Sequence, residues 1–413
     1  MKRKKILSVG MALIVACAAV ALAGEAQPEI EVPVPQDGDI VVFLGDSITW
    51  QNLYTAYIEA YFIRRYPERK IRFINLGVRG DTAAGAAMRL QRDLFPLHAN
   101  LVLVMLGMND GGYRGYNGLL LRYYLAYMNE LADQIGERTQ ARLVFATSTC
   151  VEPLDYNKKR YNRMLTAMAA GLRELAARRK VPLIDMFTSF DLALARAGSL
   201  SVPVRLMLNA IHPGPAGQLV MAGVLLDKLD PRGERKNMRL SFDLSGAKWK
   251  HGRTCLSFSH SHDNIFLPKA ARDGLPFVPQ AKRFASRRLA IAGLNKQARV
   301  YIDKQEQGVF SSQELAAGLD LDLLPRAPWV KEAALLLRLL QEKWRLTYYL
   351  WDPRGLGKDA WIQVNPQGEP LIDKDTAYRK LLDVSGRIES LRAQGPHNYT
   401  LCLKQLTKDK TSQ

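Results

Sequence analysis

Short apolar runs alternate with longer amphipathic stretches between residues 37 and 230. Apolar runs of four to six residues are typical of buried strands, and apolar residues that recur every three to four positions are typical of helices. Five strands are predicted, at residues 40–44, 71–76, 101–106, 143–146 and 181–184. The predicted helices follow the first strand through Arg65 and occupy residues 114–136, 157–180 and 215–230.

This alternation of strand and helix predicts an α/β fold, with a parallel sheet between two layers of helices. The run Leu101–Leu106 is apolar throughout, as expected of a strand that is buried on both faces. Sheets of this kind bind their ligands beyond the carboxyl ends of the strands. The chemistry of this chain is therefore expected at that edge of a three-layer α/β/α sandwich.

The pattern changes beyond residue 232. Residues 238–311 hold short alternating runs broken by Gly and Pro and are predicted to be β-rich, and residues 312–349 are predicted to be helical. Ser311 and Glu314 have the spacing of a capping box at the start of that helical part. The predicted organisation is a segment 1–23, a linker 24–36, a first domain 37–232 and an accessory region 233–413, of which residues 350–413 are mixed.

The first residues have the order of a secretory signal peptide. Four basic residues, Lys2–Lys5, precede an apolar run, Ile6–Ala23, that ends in small residues. Cleavage near Ala23 would deliver the chain to the periplasm or the exterior. Two alternatives stay open: the run is barely long enough for a single membrane anchor, and Ile14–Cys17 resembles a lipobox with Cys17 as the lipidated residue.

The basic excess is unevenly distributed along the 413 residues. The net charge of +18 divides into +4 for residues 1–23, +3 for 24–232 and +11 for 233–413. An exported basic region favours an anionic glycan or envelope surface as partner over nucleic acid. A solvated basic face without a specific partner is the alternative. After removal of the signal, Cys150, Cys255 and Cys402 remain, which make no disulfide framework and leave at least one thiol unpaired.

Four short segments at the predicted strand ends carry reactive or hydrogen-bonding groups. Ser47, in Gly45–Thr49, follows the first strand and is a candidate nucleophile. Gly77 ends the second strand and Asn109 follows the third, so their N–H groups, with that of Ser47, are candidate donors to an oxyanion. His212 precedes the closing helix and is the candidate base.

These four segments, in this order, resemble the SGNH or GDSL-like hydrolase family of esterases and acylhydrolases. The resemblance covers residues 38–230 and implies Ser47 as nucleophile, His212 as base, and Ser47, Gly77 and Asn109 as the oxyanion hole. It implies two-step acyl transfer from a carboxylic ester, with neither cofactor nor metal. Acyl transfer to another alcohol would use the same residues. An exported member with an accessory region suggests a carbohydrate O-acetyl group, as in acetylated polysaccharide.

Asn209 departs from the family pattern, which has Asp three residues before the histidine. An Asn side chain accepts a hydrogen bond from imidazole through its oxygen but lacks the negative charge that stabilises imidazolium. Three readings follow: a slower Ser47–His212 dyad oriented by Asn209, a carboxylate supplied from elsewhere, such as Asp185, or a scaffold that binds an anionic glycan or envelope surface without turnover.

Two further groups of residues have alternative interpretations. His260, His262 and Asp263 suggest a metal site, but they lack an evident further ligand and a solvated strand or turn is favoured. We therefore predict no metal site. Aromatic residues of the helical part are expected to pack in a core, with a sugar-stacking platform as the alternative; these are Trp344, Tyr348, Tyr349 and Trp351.

Overall fold

A computed structural model describes residues 30–233, 239–260, 265, 267–279, 284, 287–351, 373–392 and 397–406. The predicted signal segment 1–23, with Cys17, and residues 24–29 of the predicted linker lie outside these residues. Within the described part, no helix is long and apolar enough to cross a membrane.

A five-stranded sheet forms the centre of the N-terminal half. Its strands are β1 (Ile40–Gly45), β2 (Arg72–Gly77), β3 (Leu101–Met105), β4 (Arg142–Ala146) and β5 (Leu183–Ile184). The strand order is β2-β1-β3-β4-β5, and every neighbouring pair is parallel. This order and direction confirm the predicted parallel sheet and place all five carboxyl ends at one edge.

Helices flank this sheet, which confirms the predicted α/β fold class. They are α1 (Ser47–Trp50), α2 (Tyr54–Arg65), α3 (Ala83–Asp93), α4 (Gly118–Arg138), α5 (Tyr156–Arg179), α6 (Met186–Gly198) and α7 (Pro215–Leu229). Helix α2 contacts α7, while α3 contacts α4 and α4 contacts α5. The residues of β1 and β3 are all buried, because helices cover the apolar side chains on both faces of each strand.

The described residues of the C-terminal half form two smaller sheets and four α-helices. The strands are β6 (Arg239–Asp243), β7 (Arg253–His260), β8 (Arg288–Ala292), β9 (Ala298–Ile302), β10 (Gln305–Phe310), β11 (Leu319–Asp320) and β12 (His397–Gln405). The helices are α8 (Lys269–Arg272), α9 (Ser312–Ala317), α10 (Pro328–Trp351) and α11 (Lys374–Arg392). The sheet orders are β10-β9-β12-β7, which is antiparallel, and β11-β8-β6, which is mixed. The capping box predicted at Ser311 and Glu314 is confirmed at the start of α9.

A disulfide bond joins Cys255 on β7 to Cys402 on β12, at positions directly opposite each other. The two cysteines are separated by 147 residues. A crosslink of that span restricts the unfolded chain strongly and so stabilises the fold. Cys150 is the remaining free thiol and is buried. The prediction of at least one unpaired cysteine is confirmed, whereas the pairing of the other two was not predicted.

Helix α10 connects the two halves. It packs against α11 and against α2, and its residues Leu336 and Leu340 belong to the same buried cluster as the apolar residues of the central sheet. A separate cluster holds Leu289, Val300 and other residues of the small sheets. Removing α10 would therefore expose part of the core of the N-terminal half.

Candidate active site

Ser47 lies where the sequence places it, directly beyond the carboxyl end of β1. It is the first residue of α1, and the Asp46 carboxylate caps this helix by accepting the Ile48 N–H at 2.9 Å. The cap fixes the turn between strand and helix, because it satisfies an N–H that has no partner within the helix. The hydroxyl of Ser47 is thereby held at the edge of the sheet on which the other predicted residues converge.

His212 is brought to Ser47 by the loop that precedes α7. Two backbone hydrogen bonds close this loop, from Leu208 N–H to the His212 carbonyl and from Gly214 N–H to the Leu206 carbonyl, both at 2.8 Å. His212 Nε2 lies 3.0 Å from Ser47 Oγ. Burial, with a contribution from the charge of Arg79, lowers the pKa of His212. A lowered pKa keeps the imidazole neutral at pH 7, as a general base must be.

Asn209 orients the imidazole of His212. Its Oδ1 accepts the backbone N–H groups of Ile211 and His212 at 2.9 Å each, and it lies 3.2 Å from His212 Nδ1. Because two of these contacts are backbone N–H donors, the accepting atom must be the amide oxygen. That oxygen requires a proton on Nδ1, and the lone pair of Nε2 therefore faces the hydroxyl of Ser47.

Asp185 does not serve His212. Its carboxylate accepts hydrogen bonds from Arg173 at 2.8 Å, from Thr147 Oγ1 at 3.2 Å and from the Thr188 N–H at 3.2 Å. Burial raises the pKa of Asp185, but the bonds from Thr188 and Arg173 outweigh it and hold that pKa below its usual range. The reading in which Asp185 supplies the missing carboxylate is contradicted by these contacts.

Gly77 has a different role from the one predicted. Its N–H donates to Asn75 Oδ1 at 2.8 Å, so this group is not available to an oxyanion. A Cβ at this position would lie 2.3 Å from Trp50 N and 2.7 Å from Thr49 C. Glycine is therefore required at residue 77 because the end of α1 crosses directly over β2, and the prediction of Gly77 as a donor is corrected to a packing role.

The side-chain amide of Asn109 is held on both sides. Its Nδ2 donates to the Asp81 carbonyl at 2.7 Å, and its Oδ1 accepts from the Tyr113 hydroxyl at 2.6 Å. A primary amide has two N–H bonds, so one donor remains beyond the bond to Asp81. The turn that carries Asp81 also holds Gly80 in a left-handed conformation with φ +70°.

Known proteins are similar to this chain in sequence. Residues 43–220 match the model of the GDSL-like Lipase/Acylhydrolase family. An acetylxylan esterase from Geobacillus stearothermophilus is 23% identical over 223 residues, which cover 46% of this chain and 94% of that protein.

Residues 43–220 form a domain of the GDSL-like lipase/acylhydrolase family. The chain is accordingly a hydrolase that acts on ester bonds. Two solved structures match the chain over different lengths, and the first of them resembles it in fold. A gut microbial diltiazem-metabolizing enzyme, 20% identical, covers 91% of this chain and 99% of its own with a TM-score of 0.71. A catalytic mutant of the Geobacillus stearothermophilus acetylxylan esterase, 21% identical, covers 48% and 96% with a TM-score of 0.42.

Three acidic residues, Asp46, Asp81 and Asp110, interact electrostatically next to the GDSL-type serine. Burial, opposed by the hydrogen bond from the Ile48 N–H and assisted by the charges of Asp110 and Asp81, raises the pKa of Asp46 to about 7. Burial likewise raises the pKa of Asp110 to about 6, although its Oδ1 accepts the Ala83 N–H at 2.9 Å. Asp81 forms an ion pair with Arg89, with 2.8 Å between the charged atoms.

The raised pKa of Asp46 predicts a fall in stability with rising pH. Between about pH 4 and pH 7 the folded protein keeps a proton on Asp46 that the unfolded chain releases, so the free energy of unfolding decreases as the pH rises through that window. Asp46→Asn keeps an oxygen acceptor for Ile48 and removes the titration. Between pH 5 and pH 8 the variant should lose about 3 kcal/mol less of its unfolding free energy than the wild type. Urea unfolding at both pH values measures this difference, and equal losses in the two proteins would contradict it.

A pocket of about 360 Å³ opens at Ser47 and His212. Its wall on the N-terminal side consists of residues from α1, from the loop after β2 and from the loop before α7. The opposite wall belongs to α10, through Gln341, Trp344 and Arg345. No signal in the sequence indicated that the accessory region reaches the active site.

The remaining sequence candidates are the histidine group near residue 260 and the aromatic group of α10. His262 and Asp263 lie outside the described residues, as does the side chain of His260. Over the ranges that the structure does describe, no group of three or more His, Cys, Asp or Glu is placed to hold a metal ion. Trp344 and Tyr348 are buried with Trp50, as the core-packing interpretation predicts.

Proposed function

We propose that the chain is an exported serine esterase in which Ser47 is the nucleophile and His212 the base. The observation that supports this most strongly is the chain of contacts from Ser47 Oγ to His212 Nε2, 3.0 Å, and from His212 Nδ1 to Asn209 Oδ1, 3.2 Å. Nucleophile, base and orienting group are thus within reach of one another in the order that acyl transfer needs.

In the first step, Ser47 Oγ bonds to the ester carbonyl carbon while His212 Nε2 takes the hydroxyl proton. The negative charge on the carbonyl oxygen is held by the backbone N–H of Ser47 and the second N–H of Asn109, and the loop that carries Gly80 is the candidate source of a third donor. The tetrahedral intermediate collapses as the bond to the alcohol oxygen breaks and His212 returns the proton to that oxygen. An acyl-enzyme on Ser47 remains.

In the second step, His212 removes a proton from water, whose oxygen attacks the acyl carbon. Collapse of this intermediate breaks the bond to Ser47 Oγ and releases the acid. The proton on Nε2 returns to Ser47, so the enzyme is regenerated with no net change in charge. An alcohol in place of water would accept the acyl group by the same sequence of bonds, and product analysis would distinguish transfer from hydrolysis.

We propose acetylated polysaccharide as the substrate. The relative with 23% identity is an acetylxylan esterase, which supports an O-acetyl ester of a carbohydrate. The direct experiment is incubation of the full chain with acetylated xylan and measurement of free acetate. Acetate release is expected. Hydrolysis of 4-nitrophenyl acetate without release of acetate from xylan would support the esterase assignment and contradict acetylated polysaccharide as the substrate.

Export through the 1–23 segment belongs to the same proposal. The Cys255–Cys402 disulfide supports it, because such bonds persist in oxidising compartments. A lipoprotein anchored at Cys17 stays the alternative. Expression in a bacterial host, followed by fractionation and determination of the mature N-terminus, separates cleavage near Ala23 from cleavage before Cys17. An uncleaved N-terminus in the cytoplasmic fraction would contradict both.

A second function, binding of an anionic glycan or envelope surface, is favoured by the +11 charge of residues 233–413 and by the uncharged Asn209. Since α10 contributes to the core, the test uses the full chain on a resin of acidic polysaccharide, with a neutral polysaccharide resin as control. Retention on the acidic resin should fall steeply between 50 and 500 mM salt, as the Debye length shrinks below about 10 Å. Retention on the acidic resin that does not depend on salt concentration would contradict this second function.

A further inference from the structure

Helix α10 is fixed onto the short helix that carries Ser47. Trp344 Nε1–H donates to the carbonyl of Trp50 at 3.0 Å, and Trp50 is the last residue of α1. The ring of Tyr348 meets the ring of Trp344 at 5.2 Å and that of Trp50 at 6.1 Å, edge to face in both cases. This buried aromatic cluster sets the distance between α10 and Ser47.

Two contacts hold α10 on either side of that cluster. Lys343 forms an ion pair with Glu59 of α2, and Trp351 Nε1–H donates to Asp93 Oδ1 of α3 at 2.8 Å. The helix is therefore tied to three different elements of the hydrolase domain. The backbone of α10 beside the pocket is thereby held in place relative to the nucleophile.

One of these side chains is Arg345, and it is the second guanidinium of the pocket. Arg79, in the loop after β2, is the first, and its guanidinium lies over the ring of Trp50 at 5.0 Å. Both arginines line the same pocket as Ser47 and are exposed at its mouth.

The positive charge at the mouth of the pocket affects the catalytic histidine electrostatically. The positive charge of Arg79 contributes, after burial, to the lowered pKa of His212. Trp50 and Trp344 line the pocket beside the two arginines and displace water there, which strengthens charge interactions relative to those in bulk solvent. A guanidinium also matches a carboxylate in shape, because its planar N–H groups donate to both oxygens.

We infer that Arg79 and Arg345 select esters that carry a carboxylate close to the scissile bond. The inference rests on the proposed function and makes it narrower: α10 supplies part of the substrate site, and the substrate is an anionic ester, such as an O-acyl group on an acidic sugar. A neutral ester lacks a group for the two arginines to bind. The carboxylate belongs either to the alcohol part or to the acyl part of the ester. Each of these two possibilities requires its own test substrate.

Two matched pairs of esters test the inference in the full chain. 4-Acetoxybenzoate and its methyl ester differ by a carboxylate on the alcohol side, and mono-4-nitrophenyl succinate and 4-nitrophenyl butyrate differ by one on the acyl side. For at least one pair, the wild type should have the higher kcat/KM with the anionic member. This preference should decrease as salt rises from 50 to 500 mM, since exposed charges are screened.

Arg345→Gln should reduce the anionic-to-neutral ratio of kcat/KM in that pair by about tenfold. Arg79→Gln should act in the same direction, and Arg345→Lys should keep part of the preference because it keeps the charge. Arg338→Gln is the matched control: it removes the same charge from an exposed position of α10 that does not line the pocket, and it should leave the ratio unchanged.

Two outcomes are distinguishable. If the wild type hydrolyses these esters through Ser47 but shows no preference for an anionic member, or if Arg345→Gln and Arg338→Gln have equal effects, the inference is overturned and the proposed esterase stands. If no ester is hydrolysed in a Ser47-dependent manner, the proposed function itself fails, and the inference fails with it.

Discussion

Ser47→Ala is expected to reduce kcat/KM for short 4-nitrophenyl esters by at least about ten-thousandfold. The substitution removes the only atom that would bond to the acyl carbon, and it leaves His212 without the hydroxyl that lies 3.0 Å from its Nε2. The melting temperature should change little, because one net hydrogen bond contributes about 1 kcal/mol. Initial rates with 4-nitrophenyl acetate and a thermal unfolding curve measure the two effects.

Ser241→Ala provides the control for this loss. Ser241 is an exposed serine on β6, which lies in the accessory region, so its replacement should leave both the rate and the melting temperature unchanged. His212→Ala should reduce the rate nearly as much as Ser47→Ala, and the double variant should lose little more, because the two residues act as a unit. Substantial hydrolysis by Ser47→Ala would show that the catalytic assignment is wrong.

Asn209→Asp is expected to raise kcat by about ten- to hundredfold. The imidazolium that forms when His212 takes the proton would then face a carboxylate at the position of Oδ1, 3.2 Å from Nδ1. The new carboxylate would stay ionised, because it inherits the two backbone N–H bonds of 2.9 Å from Ile211 and His212. KM should change little, since the added charge acts mainly once His212 is protonated.

The same substitution has an expected effect on pH dependence. A nearby negative charge favours protonated imidazole, so the pKa of His212 should rise from its lowered value. The acidic limb of the kcat/KM profile should therefore move to higher pH. Asp185→Asn is the comparison, because Asp185 is bound by Arg173 and should leave the profile in place. A decrease in kcat for Asn209→Asp, with no change for Asp185→Asn, would contradict a dyad oriented by Asn209.

Most of the central fold was predictable because its signals are local. A strand buried on both faces, such as β3, has to be a continuous apolar run, and the adjoining helices have to be amphipathic. The positions of Ser47 and His212 follow from topology, since the carboxyl ends of parallel strands meet at one edge. Helices α3 and α6, by contrast, were not predicted, and α6 begins one residue after the two-residue strand β5.

The corrections concern features that depend on loop conformation or on distant contacts. Whether the N–H of Gly77 or that of another loop residue faces the site depends on backbone angles that a sequence does not encode locally. The bond from Trp344 to Trp50 joins residues 294 positions apart, and the pairing of Cys255 with Cys402 depends on β12 lying between β7 and β9. Such contacts follow from the packing of the whole chain and have no signature in its periodicity.

The chemical state of Ser47 in the wild type is the central claim, and labelling with a fluorophosphonate followed by mass spectrometry of peptides tests it most directly. Only a serine whose hydroxyl is activated by a base attacks phosphorus at a useful rate. The account predicts one adduct, on the peptide that contains Ser47, absent from Ser47→Ala and formed faster above the pKa of His212 than below it. No adduct on Ser47, or an adduct on a different serine, would contradict it.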